Sequence, residues 1–230
     1  MSELGVVIPA AGQGKRMEAG CNKQFLILQG RPVLAHTVSL FEESEYVSEI
    51  VIAGAVSDLS RLEDMVSEYG FTKVTAIVRG GTERQDSVYA GIQALSSAVG
   101  RVVVHDGARP LLSLREFHRF LGETEGFAAA VMGIPLQDTV KRIDDAGKVL
   151  ETLPREVLRA IQTPQIFERS LLEEAHRRSA AEGYYGTDDA ILLERLGYSV
   201  RIAAGSAENI KITLPEDLWL AEQILARRTG

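Results

Sequence analysis

Gly5-Val6-Val7-Ile8-Pro9-Ala10-Ala11-Gly12-Gln13-Gly14-Lys15-Arg16-Met17 is the stretch on which the reading of this chain turns. The apolar run Gly5–Ile8 predicts a buried first strand, and a loop of small residues leaves it directly. Gly12 and Gly14 let backbone N–H groups come close to a ligand. Lys15, Arg16 and then Lys23, in Asn22-Lys23-Gln24-Phe25, put three cations within nine residues. Such a density of positive charge behind a strand points to a strongly anionic ligand, with a triphosphate as the natural candidate.

Two common phosphate loops do not fit. A Walker A loop needs a four-residue spacer and a Ser or Thr after its Lys, and Gly12-Gln13-Gly14-Lys15-Arg16 has neither. A dinucleotide fingerprint needs a third glycine where Met17 stands, and an acidic strand end roughly 20 residues on, which is missing. The nucleotidyltransferase loop, a strand followed by Ala-Ala-Gly-x-Gly-x-Arg-Met and a Lys seven residues after the Arg, matches in every element. Lys15 reads as a solvated charge of the turn. Arg16 and Lys23 read as the functional cations.

The 230 residues suffice for one domain over 1–230. A hydrophobic content of 45% and a charged content of 25% are ordinary for a globular protein. No apolar run is long enough for a bilayer and no signal peptide is evident, so a cytoplasmic location with no membrane contact is expected. The single cysteine, Cys21, excludes an internal disulfide and a multi-cysteine metal site, and reads as a bystander. A net charge of −7 argues against nucleic acid as a partner. It also means that local cations, with a divalent metal, must overcome the protein's own field to hold an anionic substrate.

Along the chain, β-branched runs at Val6–Ile8, Ile50–Ile52, Val74–Val78, Val102–Val104 and Ala129–Ile134 alternate with helical periods. Pro32 suits the first turn of a helix that begins near Arg31. Ser60/Glu63, Ser113/Glu116, Ser170/Glu173 and Thr213/Glu216 have capping-box spacing, and Pro215 suits the first turn of the last helix. Continuous apolar strands separated by helices predict an α/β fold, a Rossmann-like, mostly parallel sheet with helices on both faces. Ligands of such sheets bind at the carboxyl ends of the strands. Asp138–Ile143, a Gly147 turn and Lys148–Leu153 read as a β-hairpin with no helix beneath it. Its apolar positions would find cover on another subunit, so 138–155 is expected to be a dimerisation arm.

Three further constellations carry chemistry. His105-Asp106-Gly107-Ala108-Arg109-Pro110 follows the strand Val102–Val104, which places Asp106 at a carboxyl end where it can hold Mg²⁺ between phosphate oxygens. Arg109 can meet a second phosphate bidentately. Gly80-Gly81-Thr82-Glu83-Arg84-Gln85-Asp86-Ser87 offers backbone groups and the Ser87 hydroxyl to a base, the close approach suiting a pyrimidine. Arg84 and Asp86 there read equally well as surface charges of a first turn. Glu208–Thr213 reads as a short strand whose Lys211 can turn inward.

Taken in order and spacing, these blocks resemble the 2-C-methyl-D-erythritol 4-phosphate cytidylyltransferases of the non-mevalonate isoprenoid pathway. The elements are Pro-Ala-Ala-Gly-x-Gly-x-Arg-Met (9–17), Lys-Gln-Phe (23–25), Gly-Gly-x-x-Arg-x-x-Ser-Val (80–88), His-Asp-x-Ala-Arg-Pro (105–110), Asp-Thr-Val-Lys (138–141), Gln-Thr-Pro-Gln (162–165), Thr-Asp-Asp (187–189) and Asn-Ile-Lys-Ile-Thr (209–213). The resemblance implies transfer of a cytidylyl group from CTP to 2-C-methyl-D-erythritol 4-phosphate in a homodimer whose β-arm crosses to the partner. It implies that Arg16 and Lys23 stabilise the transition state and that Lys211 and Arg155 place the sugar phosphate. Pro9, Ala10, Ala11, Gly12, Gly14, Gly81, Thr82 and Ser87 would line the nucleotide. Asp106 would serve Mg²⁺ or another divalent cation. Arg109, Thr139, Thr163 and Thr187 would complete the sugar-phosphate pocket, with Thr139 and Arg155 reaching the partner's site.

Pro154, Arg159 and Thr82 depart from residues common in that family: Asp before the arm arginine, an aromatic four residues after it, and an acid after Gly81. Ribitol 5-phosphate is the alternative substrate, and Ala108, where such enzymes usually carry Val, favours methylerythritol phosphate. A non-catalytic nucleotide-binding regulator on the same fold would be expected to lose Arg16, Lys23 or Lys211, and all three are present.

Overall fold

A computed structural model describes residues 3–12 and 22–229. Gly14, Lys15, Arg16, Met17 and Cys21 therefore lie outside the described residues. Among the described residues, eleven strands and seven α-helices follow the expected alternation: β1 Glu3–Ala10, β2 Ile27–Leu28, β3 Arg31–Pro32, α1 Val33–Glu43, β4 Val47–Gly54, α2 Leu59–Tyr69, β5 Val74–Arg79, α3 Arg84–Ala94, β6 Val99–Val104, α4 Leu114–Glu123, β7 Ala129–Pro135, β8 Val140–Ile143, β9 Val149–Leu153, β10 Arg159–Glu168, α5 Arg169–Glu182, α6 Ala190–Arg195, β11 Arg201–Ala204 and α7 Pro215–Thr229.

Seven strands form the central sheet in the order β11-β7-β10-β6-β1-β4-β5. All neighbours are parallel except β10, which is antiparallel to both β6 and β7. The chain runs from β1 outward to β4 and β5, then returns over α3 to β6 on the other side of β1. The strand order therefore reverses between β1 and β6, and the carboxyl ends of these two strands flank the crevice where open α/β sheets bind ligands.

Burial explains why the strands read as continuous apolar runs. Val6, Ile8 and Ala10 point into one layer with Ile50, Ile52, Phe41 and Phe117. Val7 points into the other with Val51, Val102, Val104 and Phe167. Alternate side chains of one strand feed two separate cores, so neither face can be polar. A third, smaller cluster seats α7 on the β2–β3 hairpin through Leu28, Val33, Leu111, Ile212 and Ala221.

Several local expectations are corrected. The segment 209–213 is irregular rather than a strand, with Ile212 N–H bonded to the Ala108 carbonyl at 2.8 Å. Of the four expected pairs, only Ser113/Glu116 forms a capping box. Helix α2 begins at Leu59, out of register with Ser60, because a 3₁₀ turn at Val56–Asp58 leads into it. Helix α5 begins at Arg169, one residue before Ser170, and Glu173 pairs with Arg169 at 2.7 Å. At α7, Asp217 rather than Glu216 accepts the Thr213 and Leu214 N–H groups, at 2.7 and 2.8 Å. Pro32 closes β3 immediately before α1 instead of lying in its first turn.

Strands β8 and β9 form a two-stranded sheet of their own, turned by Gly147 at φ +78°. Its apolar residues Ile143, Val149 and Leu150 are at least half exposed.

Candidate active site

The crevice between β1 and β6 is lined by Pro9, Ala11, Gly12, Lys23, Gly81, Thr82, Arg84, Ser87, Asp106 and Lys211, among others. Residues from five separate parts of the sequence thus converge at one sheet edge. Loop geometry explains the small ones. A Cβ on Gly81 would stand 2.1 Å from the Asp86 Cβ, and one on Gly80 would stand 2.6 Å from the Ala11 Cβ. Asp86 cannot withdraw easily, because it closes a capping box with Glu83 at the start of α3. The Ser87 hydroxyl accepts the Gly81 N–H at 3.1 Å and donates to the Glu83 carbonyl at 3.2 Å, holding the glycine turn against the helix. Lys23 sits in a 3₁₀ turn whose cap, Asn22, donates to Asp58 at 2.8 Å and accepts from Gln24 N–H.

Asp106 is the electrostatic centre. Its Oδ1 accepts from Arg84 Nε at 2.9 Å, and its Oδ2 lies 2.7 Å from Lys211 Nζ and 3.9 Å from Arg109 Nε. Burial opposes ionisation of this carboxyl, but Arg84 and Lys211 outweigh it and hold it far below the ordinary carboxylate range. Its backbone N–H donates to the Thr163 hydroxyl at 3.0 Å. Arg109 turns its Nη1 to the Asn209 carbonyl at 2.7 Å, and Asn209 donates to the Thr163 carbonyl at 2.8 Å. These bonds fix the irregular segment that carries Lys211. Beside Asp106, His105 is fully buried and donates Nε2–H to the Arg109 carbonyl at 3.1 Å. Burial pushes its pKa down to about 4.

The crevice brings together Pro9, Ala11, Gly12, Lys23, Gly81, Thr82, Ser87, Asp106 and Lys211, with Arg109 and Thr163 bonded to Asp106 at its back. Ala10 is buried in the core rather than lining it. Thr187 is exposed, just before Asp188 and Asp189. Thr139 and Arg155 stand apart from the crevice, in a separate recess at the base of the arm formed with the end of β9 and the residues after it. Arg155 follows Pro154 in a short 3₁₀ turn and donates to the Gln137 carbonyl. Arg159 is exposed and donates to the Glu156 and Leu158 carbonyls.

Arg84 and Asp189 stand in the quoted motifs, but the sequence assigns neither of them a role in the site. Arg84 is no surface charge: its Nη1 donates to Asp189 Oδ2 at 2.6 Å while its Nε holds Asp106. The contacts join positions 84, 106 and 189, and no local spacing signals them.

An open α/β sheet with a glycine-lined, lysine-flanked crevice at its switch point defines the nucleotidyltransferase class. The sequence model of the 2-C-methyl-D-erythritol 4-phosphate cytidylyltransferase family matches residues 4–227, and the chain belongs to that family. A protein of Halalkalibacterium halodurans bearing that name is 48% identical over 226 residues, which cover 98% of each chain. One of the same name from Dehalococcoides mccartyi is 46% identical over 98% of this chain and 97% of its own. Among solved structures, the 4-diphosphocytidyl-2C-methyl-D-erythritol synthase of Anaerococcus prevotii superposes with a TM-score of 0.86 at 30% identity, covering 98% of this chain and 99% of its own. The cytidylyltransferase of Thermus thermophilus gives 0.77 at 35% identity, with the same coverage.

Proposed function

We infer that this chain transfers a cytidylyl group from CTP to 2-C-methyl-D-erythritol 4-phosphate, giving 4-diphosphocytidyl-2-C-methyl-D-erythritol and pyrophosphate. The observation that carries this reading is full-length family membership, in a chain whose switch-point crevice gathers Lys23, Asp106 and Lys211.

The chemistry asks for charge control rather than proton transfer. A phosphate oxygen of the sugar phosphate attacks the α-phosphorus of CTP as the bond to the β-phosphate oxygen breaks. The attacking oxygen is already ionised near pH 7, so no general base is needed. His105, the histidine nearest the crevice, is buried with its Nε2–H on a backbone carbonyl, consistent with a structural role. Lys23 and Arg16 would neutralise charge developing around the α-phosphorus. Lys211 would leave the Asp106 carboxylate for the incoming sugar phosphate, which Arg109, Thr163 and Thr187 would help to bind.

Asp106 Oδ2, once Lys211 has moved from it to the sugar phosphate, would be an oxygen donor for a divalent cation, since Mg²⁺ is commonly held by one or two carboxylates together with substrate phosphates. No group of three or more His, Cys, Asp or Glu side chains able to hold a metal occurs among the described residues. Asp106 would help to hold such an ion, which would offset the charge of the triphosphate.

A homodimer accounts for the arm. Thr139 and Arg155 lie together but away from the crevice of their own chain, and the hairpin exposes Ile143, Val149 and Leu150. Crossing to a partner would cover those side chains and bring both polar residues to the partner's crevice. No helix of the described residues is long and apolar enough to cross a membrane.

Pyrophosphate release, measured with CTP, Mg²⁺ and either methylerythritol phosphate or ribitol 5-phosphate, tests the reading. Turnover with methylerythritol phosphate is expected. Turnover confined to ribitol 5-phosphate would overturn the substrate, and nucleotide binding without turnover on either would make the chain a regulator.

A further inference from the structure

We propose that Arg84 is a positioning residue which, clamped from behind by Asp189, fixes the Asp106 carboxylate and thereby the place of Lys211 and of a divalent cation. This rests on the reading of Asp106 given above.

The clamp is a chain of four groups, buried except for a partly exposed Arg84. His176 Nε2 lies 3.1 Å from Asp189 Oδ1, and both side chains are 1% exposed. The His176 ring stacks on Tyr89 of α3, with centroids 5.5 Å apart and planes 6° from parallel. Asp189 Oδ2 takes Arg84 Nη1, and Arg84 Nε takes Asp106 Oδ1. Burial opposes ionisation of Asp189, and Arg84 followed by His176 outweighs it. For Arg84, burial works against its charge, and Asp189 and Asp106 together raise its pKa.

The backbone on each side is tied down as well. Gln85, next to Arg84, donates to the Tyr184 carbonyl at 3.0 Å and accepts from Gly186 N–H at 2.9 Å. Asp188, next to Asp189, accepts from Gln165 Nε2 at 2.7 Å and from Ile191 N–H at 3.2 Å. Helix α3, strand β10 and the turn before α6 therefore all set the angle of one guanidinium.

A planar guanidinium can hold two carboxylates in a fixed relation, which a point charge cannot. With Oδ1 of Asp106 taken by Arg84, only Oδ2 meets a cation of the crevice, Lys211 or a metal ion. If Arg84 let go, the carboxylate could rotate and grip Lys211 with both oxygens. Both the lysine and the metal would then be misplaced.

Arg84→Gln, Arg84→Lys and Asp189→Asn, each alone and combined with Asp106→Asn, test this. The readouts are kcat, the Mg²⁺ concentration for half-maximal rate, and calorimetric binding of CTP with and without Mg²⁺. Arg84→Gln and Asp189→Asn are expected to lower kcat about tenfold and raise the Mg²⁺ requirement several-fold, with Arg84→Lys intermediate. CTP affinity should fall with Mg²⁺ present and stay unchanged without it. In the Asp106→Asn background these effects should vanish, because the group they act through is gone. Effects undiminished in that background, or wild-type behaviour of Arg84→Gln, would overturn the clamp. Should Asp189→Asn fail to fold, the two Arg84 variants decide. If the unmodified protein turns over neither sugar phosphate, the function fails and calorimetry still judges the clamp.

Discussion

Arg84 and Arg142 each meet a carboxylate, Arg84 on Asp106 at 2.9 Å and Arg142 on Glu151 at 2.6 Å. The first pair sits at the strand ends, with Asp106 only 10% exposed. The second lies across the hairpin arm, with its side chains 61% and 48% exposed. Water screens the arm pair and competes for both its ends. In the crevice, screening is weak, each charge fixes its neighbours, and removal of one leaves a buried partner with part of its compensation lost. Geometry that looks equivalent on distance alone therefore predicts different consequences, and the gradient from crevice to arm can be tested in steps.

The largest effect is expected for the crevice lysines. Lys23→Ala and Lys211→Ala should each lower kcat by roughly 10²- to 10³-fold, about 3–4 kcal/mol in the transition state, as for removal of a preorganised electrostatic stabiliser. Thermal stability should change little for Lys23→Ala and fall for Lys211→Ala, which removes one of the cations that offset the buried Asp106 carboxylate. Steady-state kinetics beside a melting curve would check both halves. Near-normal turnover in either variant would remove that lysine from the chemistry.

Deleting the arm comes next. Replacing 139–154 by a short Gly-Ser turn should yield a monomer by light scattering and lower kcat/KM about 10²-fold, the scale of a lost charge-assisted hydrogen bond or two. A mixture separates the crevice from the arm. Arg155→Ala subunits are damaged in the site they reach, and Lys23→Ala subunits in their own. Each mixed dimer would then hold one doubly damaged site and one intact site, returning about half the activity. Absence of recovery after verified subunit exchange would place Arg155 in its own subunit's site.

How much of this could be read from the sequence follows the same divide between local and remote. The hairpin was legible because its turn is local: Asp144 to Gly147, with Gly147 at positive φ. The apolar strands were legible because burial on both faces leaves a run of Val and Ile. Strand β10 was not, since Gln162-Thr163-Pro164-Gln165 is polar and a proline argues against a central strand. The register of β10 on β7 breaks between Gln162 and Gln165. Gln162 is satisfied by the Ser206 carbonyl at 2.8 Å, 44 residues away. Lys211 lines the crevice, but its segment reads as a strand in the sequence, because the bonds that hold that segment come from Thr163 and Ala108. Arg84 looked like an ordinary first-turn charge because its partners lie 22 and 105 residues on.

A smaller effect is expected from acid at the buried end. His105 has its pKa pushed down to about 4 by burial, against 6.5 for a free imidazole. Below the unfolded value, the unfolded chain takes up a proton that the folded chain refuses, so stability present near neutrality is lost as pH falls. Between pH 7 and pH 5 this amounts to about 2 kcal/mol. Denaturant unfolding at those two pH values should show the loss, and His105→Asn should show less of it. An equal loss in the variant would mean that other groups carry the acid sensitivity.

The smallest effect is expected at the exposed end. A double-mutant cycle over Arg142→Ala and Glu151→Ala should give a coupling energy of about 0.5 kcal/mol or less, since exposed pairs combine weak attraction with the ordering of two long side chains. It should shrink further in 0.5 M salt, where charges are screened within a few ångströms. The cycle isolates the pair only if both variants keep the hairpin, which Gly147 and the Asp144–Lys148 backbone bond at 3.0 Å should secure. A coupling of 2 kcal/mol or more would show that the pair is shielded from water in solution. The most direct source of that shielding would be a partner subunit lying over the arm. A strong coupling in the full-length protein that disappears in a monomeric variant would thus locate the arm's Arg142 face in the dimer contact, and would move this pair from the solvated class into the buried one.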